Sequence, residues 1–175
     1  MLLSGCQPGC RRYNVQQPEQ TSAAAKTDDL LRIHQYLVDK DMQDAKSYAA
    51  QKNWHMQVTP SGLLYEIYWR GDGRKTIPGQ IVELSYILSL ADSSHTVCYT
   101  SERLGIKSFR IGQGGVEAGL EEGVLLMREG DKAHFILLPH LAYGLMGDDG
   151  CIPRRATIVY DVELLGIRNV PNTDE

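Results

Sequence analysis

Period-2 alternation, with an apolar residue at every second position, is the feature that most constrains how this chain can fold. It recurs in four segments, residues 63–69, 82–88, 133–137 and 157–164. Successive side chains of a β-strand point to opposite faces, so each segment predicts a strand with one buried face. The turn-rich residues 70–80 separate the first two segments, and turns of this kind favour antiparallel neighbours. The sequence therefore predicts an antiparallel sheet.

Each predicted strand presents large apolar side chains on one face, where they would form the core. These residues are Leu63, Tyr65, Ile67 and Trp69, then Val82, Leu84, Tyr86 and Leu88, then Ala133, Phe135 and Leu137, and finally Ile158, Tyr160, Val162 and Leu164. One stretch in the same half has helical spacing instead, at Leu120, Val124 and Met127. A short helix that covers one face of a sheet makes an α+β domain. Its long loops are expected in the 90s to 100s and at residues 138–153.

The first third of the chain is predicted to hold a linker and then two short helices. Residues 7–26 are rich in Gln, Pro, Ser and Ala without apolar periodicity, a composition typical of a solvated tether. Thr27 is followed by two acids, which is a helix-start pattern, and apolar residues at helical spacing continue to Leu37. A second helix is expected at residues 42–52.

These observations divide the chain into four parts. The parts are a start segment and flexible linker at residues 1–26, a helical extension at 27–58, the strand-rich domain at 59–168 and a C-terminal tail at 169–175. The total of 175 residues suits one ordinary domain with a modest extension.

Composition and charge exclude several classes of function. The formal net charge is −4 and the pI is about 5.7, so the sequence lacks the basic character of nucleic-acid-binding domains. No run of the sequence approaches the roughly 18–20 consecutive apolar residues of a membrane-spanning helix. We therefore expect no nucleic-acid partner and no transmembrane segment.

Neither a metal site nor a cofactor site is expected. The five histidines show no HExxH-like spacing, and Cys6 and Cys10 form a CxxxC without a second pair. The glycine-rich residues 112–119 lack both the G-x-G-x-x-G fingerprint and a following Gly-Lys-Ser or Gly-Lys-Thr. Asp148 and Asp149 are adjacent acids in a glycine-rich turn, and we interpret them as a solvated loop tip.

The first residues suggest a lipid anchor. The sequence LSGC at residues 3–6 resembles the lipobox of bacterial lipoproteins, whose cysteine is acylated after signal cleavage. A secretory signal needs a basic start and about 7–15 apolar residues, so we expect that the natural start lies upstream or that the chain was trimmed. This interpretation predicts a lipid-anchored protein on the periplasmic side of a bacterial envelope. The alternative is a chance LSGC behind an initiator methionine in a cytoplasmic protein.

Several motifs of the strand-rich half occur in the order and spacing of one known family. They are GDGR, GLEEGVLLMREGDKAHFILLPHLAYG, IP and ATIVYDVELLGI. On these motifs, residues 61–167 resemble an FKBP-type peptidyl-prolyl isomerase. The resemblance implies a five- or six-stranded, twisted antiparallel sheet wrapped around a short helix, with a hydrophobic pocket for a substrate proline between them. The preceding helix and VTPSGLLYEI also resemble bacterial extracytoplasmic members, including gliding-motility-associated lipoproteins.

The resemblance implies a set of pocket residues, carried over position by position. Tyr86 matches a pocket tyrosine, and Val116 with the backbone N–H of Glu117 matches a segment that binds a substrate carbonyl. The Tyr143 hydroxyl is expected to donate a hydrogen bond to the bound chain, and Ile152 to wall the adjoining loop. The whole set is Tyr86, Val116, Glu117, Leu120, Tyr143, Ile152 and Tyr160 as catalytic residues, with Cys98, Tyr99, Phe109 and Cys151 as substrate-binding residues. The alternative for the strand aromatics is plain core packing.

Other positions depart from the family pattern. Leu120 stands where the family usually has a tryptophan on the pocket floor. Cys98 and Tyr99 replace a Phe-Asp pair. Lys107 replaces a rim phenylalanine, and Tyr160 replaces another phenylalanine by one added hydroxyl. The pocket therefore loses aromatic area, and we expect weaker proline binding and reduced rather than absent activity.

Cys98 and Cys151 both border the implied pocket. In an oxidising periplasm they have the opportunity to form a disulfide, but two free, small apolar side chains are the expected state. A count of thiols with and without reductant distinguishes the two.

The resemblance implies an enzyme, a peptidyl-prolyl cis-trans isomerase that assists the folding of exported or cell-envelope proteins. Rotation about an X-Pro bond breaks no covalent bond, so this chemistry needs neither a nucleophile nor a cofactor. The expected partners are proline-containing unfolded or loop segments of exported proteins, and the membrane through a lipid on Cys6. The alternative is a catalytically weak or inactive module that holds client chains in the same cleft. The sequence assigns no client and no oligomeric state.

Overall fold

The structure, a computed structural model, describes residues 23–169 of the chain, the side chains of its first five residues excepted. The chain divides into two compact units, one ending at His34 and the other beginning at Gln35. The described part of the first unit is helical, and all described strands lie in the second. The lipobox-like residues 3–6, most of the predicted linker and all but the first residue of the predicted tail lie outside the described residues.

The N-terminal region forms one helix, α1, at Ala23–Gln51. The predicted division into two helices is wrong, because residues 38–41 contain neither Gly nor Pro to interrupt the backbone. An ion pair at i,i+4 spacing, Lys40 Nζ to Asp44 Oδ2 at 2.6 Å, joins two turns across this point. The helix also begins inside the predicted linker. Among the described helices, none combines the length and the apolar character that a membrane span requires.

The last turns of α1 pack on one face of the sheet. Ala45, Tyr48 and Ala49 are buried there. They form an apolar cluster with Leu64, Ile136, Leu138 and Val159. Leu30 and Ile33 belong to the apolar residues at helical spacing that predict a helix up to Leu37, but both side chains are exposed.

Seven antiparallel strands form one sheet among the described residues. Their bounds are β1 Gln57–Val58, β2 Leu64–Trp69, β3 Ile81–Leu90, β4 Val97–Thr100, β5 Lys107–Arg110, β6 Lys132–Leu137 and β7 Ile158–Arg168. The hydrogen-bonded order is β1-β2-β6-β7-β3-β4, and β5 also pairs with β3. β7 occupies one edge of β3 along its whole length, so β5 and β4 share the other edge. The predicted antiparallel sheet is confirmed.

Short helical elements connect the strands on the opposite face of the sheet from α1. They are α2 Ser101–Leu104, α3 Ala118–Val124 and a 3₁₀ turn at Pro139–Leu141. The helix α3 carries Leu120 and Val124 into the main core, and Met127 follows them, all three fully buried as predicted. Glycine allows the close approach of α3 to β6, since a Cβ on Gly123 would lie 2.7 Å from the Phe135 ring.

Two sequence predictions about the strands are wrong. β4 and β5 lie in the 90s to 100s stretch, which the sequence predicts as loop. Each has only four residues and is stabilised as a strand by its pairing with β3. Trp69 is predicted on the buried face but is 63% exposed. The register of β2 against β6 shifts between Ile67 and Trp69, and such a bulge redirects the side chain that follows it.

Candidate active site

A cleft lies between the β4 and β5 edge of the sheet, the start of α3 and the loop after the 3₁₀ turn. It contains two cavities whose walls share Lys107 and Tyr143. The aromatic cavity, of about 300 Å³, is lined by Tyr86, Leu88, Tyr99, Leu104, Lys107, Tyr143, Asp148 and Tyr160. The loop cavity, of about 330 Å³, is lined by Lys107, Gly115, Val116, Glu117, Ala142 and Tyr143.

The tyrosines of the aromatic cavity come from three strands and one loop. Tyr86 on β3 and Tyr160 on the neighbouring β7 have ring centroids 5.9 Å apart, with the rings tilted by 57°. Tyr99 on β4 pairs with Leu88 of β3, and Tyr143 follows the 3₁₀ turn. Tyr86 and Leu88 are two residues apart, so the pleat points both to the same side. The strand alternation that predicts the sheet thus also builds this wall.

A polar network centred on Glu117 joins the two cavities. Glu117 immediately precedes α3 and is 8% exposed. Its Oε1 accepts hydrogen bonds from the hydroxyls of Tyr143, at 2.5 Å, and Tyr160, at 2.9 Å. Its Oε2 lies 3.4 Å from Lys107 Nζ, which also donates to the Tyr160 hydroxyl at 3.0 Å. The Lys107 ammonium lies 5.3 and 5.5 Å from the ring centroids of Tyr86 and Tyr160, within the range of a cation–π contact.

This network sets the protonation state of Glu117, Tyr143 and Tyr160 at neutral pH. Burial by itself would raise the pKa of the Glu117 carboxyl, but the Lys107 charge and the hydrogen bonds from Tyr143 and Tyr160 outweigh it, so the pKa lies below its ordinary value. Burial, and then the Glu117 carboxylate, raise the pKa of both the Tyr143 and the Tyr160 hydroxyl. Glu117 is therefore an anionic acceptor and the two tyrosines are protonated donors.

Asp148 orders the loop at the mouth of the aromatic cavity. Its carboxylate accepts hydrogen bonds from the Tyr99 hydroxyl and from the backbone N–H groups of Gly150 and Ile152, the latter two at 2.8 Å. Burial would raise the pKa of Asp148, but these hydrogen bonds outweigh it and lower the pKa. The interpretation of Asp148 as a solvated loop tip is wrong, whereas Asp149 is exposed.

Cys98 and Cys151 form a disulfide with a Cα–Cα distance of 5.5 Å. The expectation of two free thiols is therefore wrong. The bond links β4 to the loop that carries Asp148 and Ile152, beside the hydrogen bonds that Tyr99 makes to the same loop. Two adjacent residues of β4 thus fasten one rim of the aromatic cavity.

The remaining predicted site residues lie under or beside the cleft. Leu120 is fully buried and Ile152 is 2% exposed, and neither lines either cavity. Both belong to the main core cluster, together with Tyr86 and Tyr160. Phe109 on β5 packs against that cluster, and Val116 lines the loop cavity. The structure thus brings the predicted residues together around one core, and their individual roles stay predictions.

The sequence does not predict the side-chain role of Glu117, which enters the predicted set only through its backbone N–H. Its partner Lys107 enters only as a replaced rim residue. A signal was present, because Lys107 and Tyr160 both place a polar group where the resemblance implies a phenylalanine of the same pocket. Two such groups in one apolar pocket need a partner, and Glu117 is the charged residue beside them.

No cluster of three or more His, Cys, Asp or Glu side chains arranged to hold a metal ion occurs among the residues that the structure describes.

Comparison with known proteins agrees with the fold. The sequence profile of a family described as FKBP-type peptidyl-prolyl cis-trans isomerase matches residues 73–165. FK506-binding protein 1A of Neurospora crassa is 36% identical over 110 residues, covering 62% of this chain and 91% of that protein. The FKBP-type peptidyl-prolyl cis-trans isomerase FkpA of Escherichia coli is 32% identical over 137 residues, covering 77% of this chain and 48% of that protein.

A solved structure extends the similarity to the N-terminal helix. The crystal structure of FkpA from Escherichia coli superposes with a TM-score of 0.62 at 27% identity, covering 87% of this chain and 76% of that chain. The predicted FKBP-like fold, with a helical extension before the sheet domain, is confirmed. The family profile matches more than half of the chain, and the chain therefore belongs to the FKBP-type peptidyl-prolyl cis-trans isomerases.

Proposed function

We propose that the aromatic cavity holds the proline of a peptide chain while the bond before it turns between cis and trans. The observation that carries this proposal is an open cavity of about 300 Å³ lined by four tyrosines and two leucines, together with Lys107 and Asp148. Such a surface suits the apolar proline ring, and a few polar groups at its margin suit the flanking peptide groups.

The proposed chemistry uses the exclusion of water. The barrier of about 18–20 kcal/mol to this rotation comes from amide resonance. A twisted amide has lost that resonance and its carbonyl is less charge-separated, so a water-poor cavity disfavours the planar state relative to the twisted one. Each lowering of about 1.4 kcal/mol gives about tenfold in rate. The backbone N–H of Glu117, beside the loop cavity, is proposed to hold a substrate carbonyl.

The activity is proposed to be modest. The Lys107 ammonium occupies part of the space over the rings of Tyr86 and Tyr160, against which a proline would pack. Leu120 is fully buried and supplies no aromatic surface to the aromatic cavity. The proline therefore meets less ring surface than the family pattern implies.

A second candidate function is the holding of unfolded clients without turnover. Three apolar side chains on the rim of the cleft and on its loop favour it. Leu104 is 64% exposed, Leu145 is 70% exposed and Met146 is 69% exposed. Exposed apolar surface beside a cleft suits contact with the apolar segments of an unfolded chain.

A coupled protease assay on a short X-Pro peptide separates the two candidates. The isomerase proposal predicts isomerisation above the spontaneous rate. Leu104→Glu should lower kcat/KM because it places a charge in the wall of the aromatic cavity. The matched control is Leu165→Glu, since Leu165 is 44% exposed and lines neither cavity. A wild-type rate at the spontaneous background, with peptide binding retained, would favour the holding module.

We further propose that the protein works outside the cytoplasm on exported chains, held to the membrane by a lipid on Cys6. The support is the LSGC sequence, the similarity to FkpA and a disulfide of the kind that persists in oxidising compartments. Mass spectrometry of the native protein tests the anchor. An acylated Cys6 is the expected result, and an unmodified Cys6 in a soluble fraction would contradict it.

A further inference from the structure

The Tyr143 hydroxyl already has an acceptor inside the protein. Its single O–H donates to Oε1 of Glu117 at 2.5 Å. The Glu117 side chain is 6% exposed, so the bond is charge-assisted and shielded from water. To donate to a bound peptide, Tyr143 would have to leave a buried anion. A side chain of the cleft other than Tyr143 must therefore donate to a substrate.

Lys107 has a donor left over. An ammonium carries three N–H donors, and among the described residues Lys107 Nζ meets two acceptors, Glu117 Oε2 and the Tyr160 hydroxyl. Its side chain is 24% exposed and lines both the aromatic cavity and the loop cavity. The third N–H is thus available to an acceptor in the cleft, at the point where the two cavities meet.

We propose that Lys107 is the side-chain hydrogen-bond donor of the active site, and that its third N–H binds the carbonyl oxygen of the residue before the substrate proline. This inference rests on the proposed isomerase function. Contacts with Glu117 and Tyr160 hold the ammonium in place before substrate arrives. A donor fixed in this way needs no rearrangement as the carbonyl turns out of the amide plane.

The surrounding charges favour a neutral acceptor over an acidic side chain. Glu117 neutralises Lys107 at 3.4 Å, and Asp148 adds a second negative charge to the cavity walls. The two cavities together are lined by one cation and two carboxylates. A substrate carboxylate would be repelled by this net negative wall, whereas a backbone carbonyl takes the N–H without that cost. Lys107 is therefore assigned to the peptide backbone and not to an acidic neighbour of the proline.

The test removes the Lys107 donor without leaving the buried Glu117 carboxylate unpaired. Lys107→Met alone would leave Glu117 buried without its counter-charge, so the comparison is made in a Glu117→Gln background, where the amide oxygen still accepts the two tyrosine hydroxyls. The three proteins are Glu117→Gln, Glu117→Gln with Lys107→Met, and Glu117→Gln with Lys107→Arg. Wild type and these variants are assayed on Ala-Leu-Pro-Phe and Ala-Glu-Pro-Phe peptides, and far-UV circular dichroism confirms that each is folded.

Adding Lys107→Met should lower kcat/KM on the Leu-Pro peptide about tenfold, which corresponds to about 1.4 kcal/mol. The loss on the Glu-Pro peptide should be at least as large, because in the Glu117→Gln background the unpaired ammonium also attracts the glutamate. Lys107→Arg, which keeps a cation and its donors, should retain most of the rate. An unchanged or higher rate with methionine would overturn the proposal, since it would show that the ammonium only obstructs the tyrosine rings. A loss confined to the Glu-Pro peptide would also overturn it.

Binding separates this inference from the proposed function. Wild type could bind the Leu-Pro peptide in a nuclear magnetic resonance titration without accelerating its isomerisation. The isomerase proposal then fails, and the affinity of the Lys107 variants for this peptide decides the Lys107 assignment. Weaker binding upon Lys107→Met, restored by Lys107→Arg, then supports it, and equal binding overturns it. Absence of any binding by wild type overturns both.

Discussion

At the scale of residues, the wall of the cleft contains an ion pair between Lys107 and Glu117, and the resemblance implies a phenylalanine instead of a lysine at position 107. Lys107 and Glu117 are 24% and 6% exposed in their side chains, so both charges are largely withdrawn from water. Such a pair is tolerated only when hydrogen bonds satisfy the remaining donors and acceptors. The hydroxyls of Tyr143 and Tyr160 do this for the carboxylate. The network is thus one unit, and removal of a single member should affect the rest.

Glu117→Gln should change how stability depends on pH. The pKa of Glu117 lies below its ordinary value of 4.5, so its charge stabilises the fold above that value and the contribution is lost as pH falls through the folded-state pKa. The difference in free energy of unfolding between wild type and variant should therefore narrow as the pH falls from about 6 to about 3. Urea unfolding of both proteins across this range measures it.

Glu163→Gln is the matched control for that experiment. Glu163 pairs with Lys132 at 3.0 Å, but both side chains are 39% exposed, so the substitution should cost less than about 1 kcal/mol at neutral pH. A wild-type minus Glu117→Gln difference that stays constant or grows toward acid would contradict the assigned pKa direction.

The sequence predicts the tyrosines of the cleft but not their partners. Tyr86 and Tyr160 follow from strand alternation, and Tyr143 from the family resemblance. The contact of Lys107 with Glu117 depends on β5 pairing with β3 and on where α3 starts, and the sequence predicts no strand at β5. Side-chain pairing across a loop of this kind is set by tertiary geometry, which alternation does not encode.

At the scale of elements, the loop at residues 144–157 is held to β4 by a disulfide. The Cys98–Cys151 bond closes a separation of 53 residues, and it removes conformational entropy from the unfolded chain. Joint replacement by Cys98→Ala and Cys151→Ala should lower the free energy of unfolding by about 2–4 kcal/mol. Urea unfolding with and without reductant measures it: reductant should destabilise wild type similarly and leave the double variant unchanged. Equal stability of wild type and the double variant in the absence of reductant would contradict the prediction.

The seat of α3 against β6 depends on glycine. Gly123→Ala would place a Cβ 2.7 Å from the Phe135 ring, and we expect a loss of about 1–3 kcal/mol from overpacking. Gly166→Ala is the control, because a Cβ there meets only the side-chain oxygens Glu83 Oε2 and Glu129 Oε1, at ordinary distances of 3.7 and 3.9 Å, and should change stability by less than about 1 kcal/mol. Chemical unfolding of the two variants, measured in parallel, checks this prediction. Equal losses in free energy of unfolding would contradict the close packing of α3 on β6.

Long elements are predicted better than short ones. β2, β3, β6 and β7 each carry enough alternating residues to be recognised, whereas β4 and β5 have four residues each and are ordered by their partner β3. The helix α1 is predicted in two pieces because its apolar residues change face along its length. The backbone itself carries no break at that point.

At the scale of the whole molecule, the sheet is buried on both faces by different elements. The main core lies between the sheet and α3, and a second cluster lies between the sheet and the last turns of α1. The cleft opens at the edge of the main core, where β4, β5 and the loop with Asp148 meet. The α+β class and the antiparallel order follow from the pattern of apolar residues. The packing of α1 on the sheet does not follow from this pattern, because the sequence does not show which surface the short apolar face of α1 contacts.

Exchange nuclear magnetic resonance on an X-Pro peptide with substoichiometric protein is the most direct test of the proposed cleft. We expect cis-trans exchange faster than the spontaneous rate, together with shifts of protein signals confined to the residues that line the aromatic cavity and the loop cavity. Exchange at the spontaneous rate, or shifts that map to another face of the sheet, would contradict the proposal that the prolyl bond turns in this cleft.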